Sequence, residues 1–482
     1  EASAVQYHFV YESLVELRSA MSRLGGRLLV RVGEATAVLG ELHDALRFDK
    51  LHSHQETGLG VTYNRDRRVN RWCQERDVLW REHPQSGVIR GLKTRDGWAK
   101  RWLTYAAADI EPTPGAVSPP AEAASVVDSD IPTIAELNDR LGLRWSVPTD
   151  APWPKGGADE AHGLLKSFLY ERGEDYTRAM SSPVDGWDAC SRLSPHFANG
   201  TLSVRQAYHA ARIRAAELKG RRGEAPKRWR SAVASFEKRL RWRDHFTQKL
   251  EDEPALEFRN LHRAYDGMRT EDPADWTPEE AERFAAFVRG RTGYPMVDAC
   301  MRCLATTGWI NFRMRAMLVS FASYHLWLHW KPVGEELARR FVDFEAGIHY
   351  PQCQMQSGTT GINTVRIYSP IKQAIDQDPT GLFIRRWIPE LASVPDEFVH
   401  RPETMPPLTQ RMCGVTVGNL AERADYPSPI VDHAEAVRAA KAKVFAVRGR
   451  AESRAKAKRV YMKHGSRRRP TPRKRKANEP PR

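Results

Sequence analysis

Three things are scarce in this chain of 482 residues: long apolar runs, cysteines, and an excess of either charge outside the C-terminal end. No run of about 18 apolar residues occurs, so no membrane-spanning helix is expected. The N-terminus also lacks the charged-then-apolar pattern of a signal peptide, and a soluble, cytoplasmic protein without a membrane partner is the reading. The chain opens at Glu1 rather than Met, which leaves room for a segment upstream. Six cysteines (73, 190, 300, 303, 353 and 413) suit a reducing compartment better than a disulfide framework. Cys300 and Cys303 form a lone C-x-x-C. With no second pair nearby they read as core thiols rather than a cluster or zinc site, and no metal is expected.

The net charge of +15 is local. Residues 441–482 hold 17 Lys/Arg against two acids, leaving 58 basic and 58 acidic residues in 1–440. The end of the chain, "HGSRRRPTPRKRKANEPPR", is Pro-broken and poor in apolar residues. Residues 436–482 are therefore expected to be a largely disordered basic tail, either clinging to polyanions such as DNA without sequence preference or merely solubilising. What the chain does have, 41% hydrophobic residues with 14 Trp, is ample for the cores of two or three domains.

Residues 5–24 carry Val10, Leu14, Leu17, Met21 and Leu24 at helical spacing, and Gly25-Gly26 ends them before the strand pattern "RLLVRV". A helix over 34–46, a strand near 47–53, a helix through "YNRDRRVNRWCQERD" and a strand at 78–80 follow. Such alternation predicts a parallel sheet with covering helices, a Rossmann-like α/β domain over 1–108 that begins on a helix where its first strand should be. Residues 109–132 are Pro/Ala/Ser-rich and read as a linker. From 133 to 435 the pattern is of long amphipathic helices.

Two stretches carry the chemistry. In "CSRLSPHFANGTLS" (190–203), Ser194-Pro195 reads as a cap followed by Pro at the first helical position, Gly200 closes the turn, and Ser203 with Gln206 makes a capping box. Hydroxyls and N–H groups gathered there suit an anion, or simple capping. In "TTGWINFRMRAMLVSF" (306–321), an apolar helix holds Arg313 and Arg315, two residues and about 200° apart. Buried guanidinium is costly unless paired, so each needs a partner in a different place.

Together with "TGYPMVDACMRCLATTGWINFRMR" (292–315), "RIYSP" and "FIRRWIPEL" (383–391), in this order and at these intervals, these stretches resemble the cryptochrome/photolyase flavoproteins over about residues 160–435. Residues 5–105 look more loosely like the family's α/β antenna domain, and with its opening strand missing no antenna chromophore is assigned. The resemblance implies FAD, folded into a U in a helical domain and excited by blue light. By matching positions, Ser191, Leu193 and Ser194 would hold the flavin pyrophosphate with help from Tyr176. Cys190 stands where Thr is common. Arg315, paired with Asp343, would lie along the isoalloxazine ring, Glu345 would approach its polar edge, and His349 would fall near N5. There His349 is either a proton partner near neutral pH or a packed histidine.

The same matching places Trp242, Arg243 and Arg313 on the lesion side of the pocket and shows departures there. Arg239 falls where the family's dimer-contacting Glu stands, Met355 where a second Trp stands, and Phe312 where an Asn stands, with Asn311 one place early. Of the family's three relay tryptophans, the positions fall on Cys353, Trp330 and Phe287, so only Trp330 remains; Trp327, Trp309 or Tyr350 offer detours. The implied activity is light-driven electron transfer to a pyrimidine lesion in DNA by a monomeric, FAD-dependent photolyase-like protein. The alternatives are a cryptochrome-type blue-light receptor without cyclobutane-dimer repair, whose signalling partner the chain does not name, and a flavin-free nucleic-acid or structural protein.

Overall fold

The computed structural model describes residues 3–126, 129–147, 152–418 and 424–465. The N-terminal part runs α1 (Ala4–Arg23), α2 (Ala35–Leu46), β1 (Lys50–His54), α3 (Gly60–Glu75), β2 (Leu79–His83) and α4 (Trp98–Ala107). Ser3 and Gln6 cap α1 reciprocally, each side chain bonding the other's backbone N–H. Strands β1 and β2 pair in parallel, with Lys50 opposite Leu79 and His54 opposite His83. Helix α3 packs Val69, Trp72 and Cys73 onto the sheet face that carries Leu51 and Trp80.

The strand expected at "RLLVRV" does not form. A strand exists through ladder bonds to a neighbour, and among the described residues no strand lies beside 27–32. The segment is held instead by side chains bridging to 123–129: Arg27 donates to the Ala123 carbonyl at 2.7 Å and Arg31 to the Ser129 hydroxyl at 2.7 Å. The Rossmann-like sheet of the described residues is thus reduced to two strands.

From Ala158 onward the chain is mostly helical. Its longest helix, Glu224–Asp252, presents Asp244, Gln248 and Asp252 at four-residue spacing to the N-terminal part. Asp244 Oδ2 accepts from the Gly87 N–H (2.7 Å) and from Trp102 Nε1 (2.8 Å). Gln248 accepts from Trp98 Nε1 (3.0 Å) and exchanges bonds with both backbone groups of Ile89, while Asp252 pairs with Arg95 at 3.4 Å. Gly87 is required there, since a Cβ would sit 2.2 Å from the Trp102 ring. The main core lies deeper, around Met314, Leu318, Phe321, Trp330 and Leu304. Cys300 and Cys303 are buried in it, and burial pushes the Cys303 thiol up to about 12.

The basic tail is more ordered than expected. Helices His433–Arg448 and Ala451–His464 cover most of 436–465. Asp432 caps the first by accepting from the Glu435 N–H (2.8 Å), and Ala440 and Val444 pack against Tyr265 and Tyr324. A few apolar residues at helical spacing suffice once a groove exists to receive them. Residues 466–482, the rest of the expected tail, lie outside the described residues. No helix among the described residues is long and apolar enough to cross a membrane.

Several histidines are buried. Burial lowers His196 and His329 to about 4 and His325 to about 3. A histidine protonates near 6.5 in the unfolded chain, so below that pH the unfolded state binds protons that the folded state refuses. Stability is therefore full above about pH 6.5 and falls as the pH drops toward 4. Thermal melts across pH 4–8 should show the midpoint declining within that window; a flat midpoint would mean that these rings ionise in place.

Candidate cofactor cavity

A cavity of about 520 Å³ opens between the helices Ser194–Asn199, Glu224–Asp252, Phe312–Ser320 and Ala346–Ser357. One end is built by the loop 190–193. This loop turns sharply, because Arg192 takes a left-handed backbone (φ 61°) that costs a non-glycine residue about 1–2 kcal/mol. Arg172 holds the turn: its guanidinium donates to the carbonyls of Leu164 (3.3 Å), Asp188 (2.5 Å), Cys190 and Ser191 (2.8 Å). Ser191 and Ser194 line the cavity, and Ser194 Oγ accepts from Trp309 Nε1 at 3.3 Å. The short helix begins at Ser194 with Leu193 as its cap residue, one place earlier than expected; Gly200 closes it, and the Ser203/Gln206 capping box is present. Leu193 is fully buried and does not line the cavity, so only its backbone can face a ligand there.

Arg192 projects into this end between two indoles, 3.9 Å from the Trp187 ring and 4.1 Å from that of Trp309. Among the described residues no carboxylate comes within ion-pair distance of it, and burial lowers it to about 10. A half-buried cation whose polar contact is a long one, 3.5 Å to the Trp187 carbonyl, points to an anion brought by a ligand. Tyr176 also lines the cavity, its hydroxyl pushed up to about 12 by burial.

At the other end Arg313 and Arg315 take separate partners, as their spacing predicts. Arg315 makes a bidentate pair with Asp343 (2.9 and 2.8 Å), donates through Nε to the Ile310 carbonyl (2.8 Å) and lies 4.0 Å from the Phe341 ring. Arg313 also lines the cavity, where its one polar partner among the described residues is Gln373 at 3.4 Å. Asn311, adjacent to them, donates to the carbonyls of Met180, Ser181 and Ser182 and ties that loop to the helix.

Glu345 is paired with Arg243 (2.9 and 2.5 Å), which also donates to Asp244 (2.8 Å) and to the Phe197 carbonyl (3.2 Å). Arg243, grouped from sequence with the lesion-side residues, thus spends its donors on the cavity floor. Met355 does not line the cavity; Gln352 and Gln356, on the same helix, do. Trp242 and Phe312 are 48% and 47% exposed and form an open aromatic rim. Arg239 sits against both, 4.8 and 5.7 Å from their centroids, with Met180 Sδ at 3.7 Å.

His349 lines the cavity with its Nε2 bound to the Gly334 carbonyl at 2.7 Å. Burial lowers it to about 4, which favours the packed histidine of the two readings the sequence left open. Trp330 is fully buried outside the cavity, bonded to Asn260 (2.8 Å) and 6.1 Å from the Tyr350 ring, which in turn lies 5.5 Å from His349. Cys353 reaches the cavity wall, and Phe287 is sealed in the core.

Residues that sequence reasoning passed over are Arg172, Arg192, Gln352 and Gln356. Arg192 stood inside the quoted motif, where a lone arginine between two serines was the available signal. Three buried polar atoms on the lining, Asn311 Oδ1, Arg313 Nε and Gln352 Oε1, have no hydrogen-bond partner among the described residues. With a hydroxyl-and-cation end, an Arg–carboxylate end and orphaned polar atoms between them, the residues fit a phosphate-bearing ring cofactor.

The fold and this cavity define a nucleotide-cofactor protein with a helical binding domain behind a small α/β part. Residues 236–446 match the family model of the FAD binding domain of DNA photolyase, and residues 1–97 match that of DNA photolyase. The chain is 30% identical over 441 residues to cryptochrome DASH of Gloeobacter violaceus, covering 88% of this chain and 82% of that one. It is 28% identical over 444 residues to a deoxyribodipyrimidine photo-lyase of Streptomyces griseus, covering 89% and 86%. Among solved structures it is similar to a bacterial class III photolyase from Agrobacterium tumefaciens, with a TM-score of 0.75 and 25% identity over 93% of this chain and 89% of that one. A Synechocystis cryptochrome shares the fold, with a TM-score of 0.76 and 21% identity over 92% and 88%. The chain belongs to the photolyase/cryptochrome family, and the family match supports FAD as its cofactor.

The Arg315–Asp343 pair gives a direct test. The Asp343 side chain is 3% exposed, so Asp343→Ala leaves a guanidinium facing the interior without its partner. Breaking a buried pair costs about 3–5 kcal/mol, and Arg315, a quarter exposed, sets the loss toward the low end. Urea unfolding should show it as a lower midpoint with an unchanged slope. An unchanged midpoint would mean that water replaces Asp343 without cost.

Proposed function

We propose that the protein binds FAD in this cavity and, driven by light, passes an electron to a pyrimidine lesion turned out of duplex DNA. The observation that carries the proposal is the open rim. Two half-exposed aromatics, Trp242 and Phe312, stand beside two arginines, Arg239 and Arg313, that have no carboxylate within ion-pair distance among the described residues. Aromatic faces stack on an extruded base, and guanidinium groups that no carboxylate holds suit its carbonyls and flanking phosphates.

In this reading Ser191, Arg192 and Ser194 hold the pyrophosphate, with Leu193 acting through its backbone, and Tyr176 closes that end. The Arg315–Asp343 pair lies along the ring, and Glu345, held by Arg243, lies near its polar edge. Bound FAD supplies blue-light absorption and one-electron transfer. Arg315 places a fixed cation where negative charge gathers, and its carboxylate keeps it in place. His349, neutral and tied to Gly334, positions the wall. The protein works as a cytoplasmic monomer, and the eight Lys/Arg of 466–482 add phosphate affinity without sequence preference.

Arg239 favours a second reading, a photoreceptor without cyclobutane-dimer repair, because it stands where the family carries a carboxylate that contacts the dimer. Illuminating defined lesions with the flavin-loaded protein separates the two. Repair of at least one pyrimidine lesion, with Trp242→Ala losing affinity for lesion DNA but not flavin, is expected. A flavin that responds to light in a protein that repairs none would favour the photoreceptor.

The remaining relay residue yields another expectation. With Cys353 and Phe287 at two of the three relay positions, photoreduction by an external donor should be slow, and Trp330→Phe should change its rate little. Fast photoreduction abolished by Trp330→Phe would show that Trp330 and Tyr350 form a working route.

A further inference from the structure

The open face of the two-stranded sheet carries three histidines that the cofactor cavity does not use. Strand β1 reads His52-Ser53-His54, and alternation along a strand puts both imidazoles on one face. That face is exposed, while Leu51 and Ser53 turn toward α3. The parallel register sets His83 of β2 opposite His54. His83 is exposed as well, and its ring stacks on that of His52 with planes within 10° and centroids 5.2 Å apart. His52 Nδ1 and His83 Nε2 stand 2.9 Å from each other.

Two neutral imidazoles at this distance share one N–H. When the donor ring moves that proton to its other nitrogen, both facing nitrogens carry lone pairs, and a rotation of each exposed ring turns them onto one ion. Neutral imidazole is a ligand for zinc-class ions and a poor one for magnesium. Parallel sheets ordinarily have helices on both faces, whereas the alternate residues of both strands are exposed on this one, Arg81 opposite His52 among them.

We infer that β1 and β2 form a surface site for a borderline divalent transition-metal ion of the Zn²⁺ class, held by His52 Nδ1 and His83 Nε2. His54 supplies a third imidazole after a side-chain rotation, since no three-ligand group is already assembled among the described residues. The ion would staple together a sheet of only two strands, a size that is marginal by itself in water.

Calorimetric titration of ZnCl₂ into the full, flavin-loaded chain after EDTA treatment tests the site. One equivalent should bind to the wild type, with affinity reduced on the order of tenfold or more in His52→Ala and His83→Ala. MgCl₂ should give no heat. Both substitutions are at exposed positions, and an unchanged flavin spectrum verifies that each variant is folded. A zinc-dependent rise in melting temperature should appear in the wild type and vanish in His52→Ala. No binding by the wild type, or full-strength binding by both variants, would overturn the inference.

Discussion

Two carboxylates placed two residues apart organise the cavity. Asp343 takes both terminal nitrogens of Arg315 and Glu345 takes Arg243, so the segment around Phe344 clamps the helix Phe312–Ser320 to the helix Glu224–Asp252. Each bond satisfies a charge that the interior would otherwise disfavour, which makes the clamp far more sensitive to losing one partner than to the presence of both. The network continues outward. Arg243 also holds Asp244, whose second oxygen receives Gly87 and Trp102 of the N-terminal part. The floor of the cavity and the seat of the α/β part therefore share a single chain of polar contacts.

That sharing explains how so slight an α/β part keeps its place. Two parallel strands bury one face against α3 and leave the other open, too little to hold the part in position alone. Asp244 and Gln248 compensate with directed bonds to backbone groups and indoles, and Asp252 with an ion pair to Arg95. At the other end of the chain the helices beginning at His433 and Ala451 dock with few apolar residues, Ala440 and Val444 among them, into a groove shaped by Tyr265 and Tyr324.

The rim of the cavity differs in character from its floor. Below, Arg315 and Arg243 hold carboxylates, Arg172 holds carbonyls and Arg192 reaches the Trp187 carbonyl at 3.5 Å; at the rim, Arg239 and Arg313 have no carboxylate within ion-pair distance among the described residues. A guanidinium keeps its charge at any ordinary pH and only donates, whereas a carboxylate accepts and can take a proton. Arg239 therefore offers an incoming ligand donors and a fixed positive charge.

Local pattern was enough for much of this. The helices over 4–23, 35–46 and 60–75, the Ser203/Gln206 capping box, the Gly200 stop and the need for two separate partners around Arg313 and Arg315 all follow from spacing and cap chemistry, which act within a few residues. The motif resemblance carried the family and its FAD. What sequence could not settle depends on neighbours distant along the chain. Whether 27–32 becomes a strand depends on a partner strand, and whether the basic tail becomes helix depends on a groove formed some 180 residues earlier by Tyr265. Arg243 turned inward because Glu345 and Asp244 meet it there, Leu193 turned away from the cavity because the core takes its side chain, and His349 lost its basicity through burial. Arg172 gave no signal at all, since its role is to gather four carbonyls that only the folded loop brings together. Sequence by itself determined the elements and the chemistry on offer; tertiary structure decided which charges meet, because pairing and burial are properties of distances that only the packed chain defines.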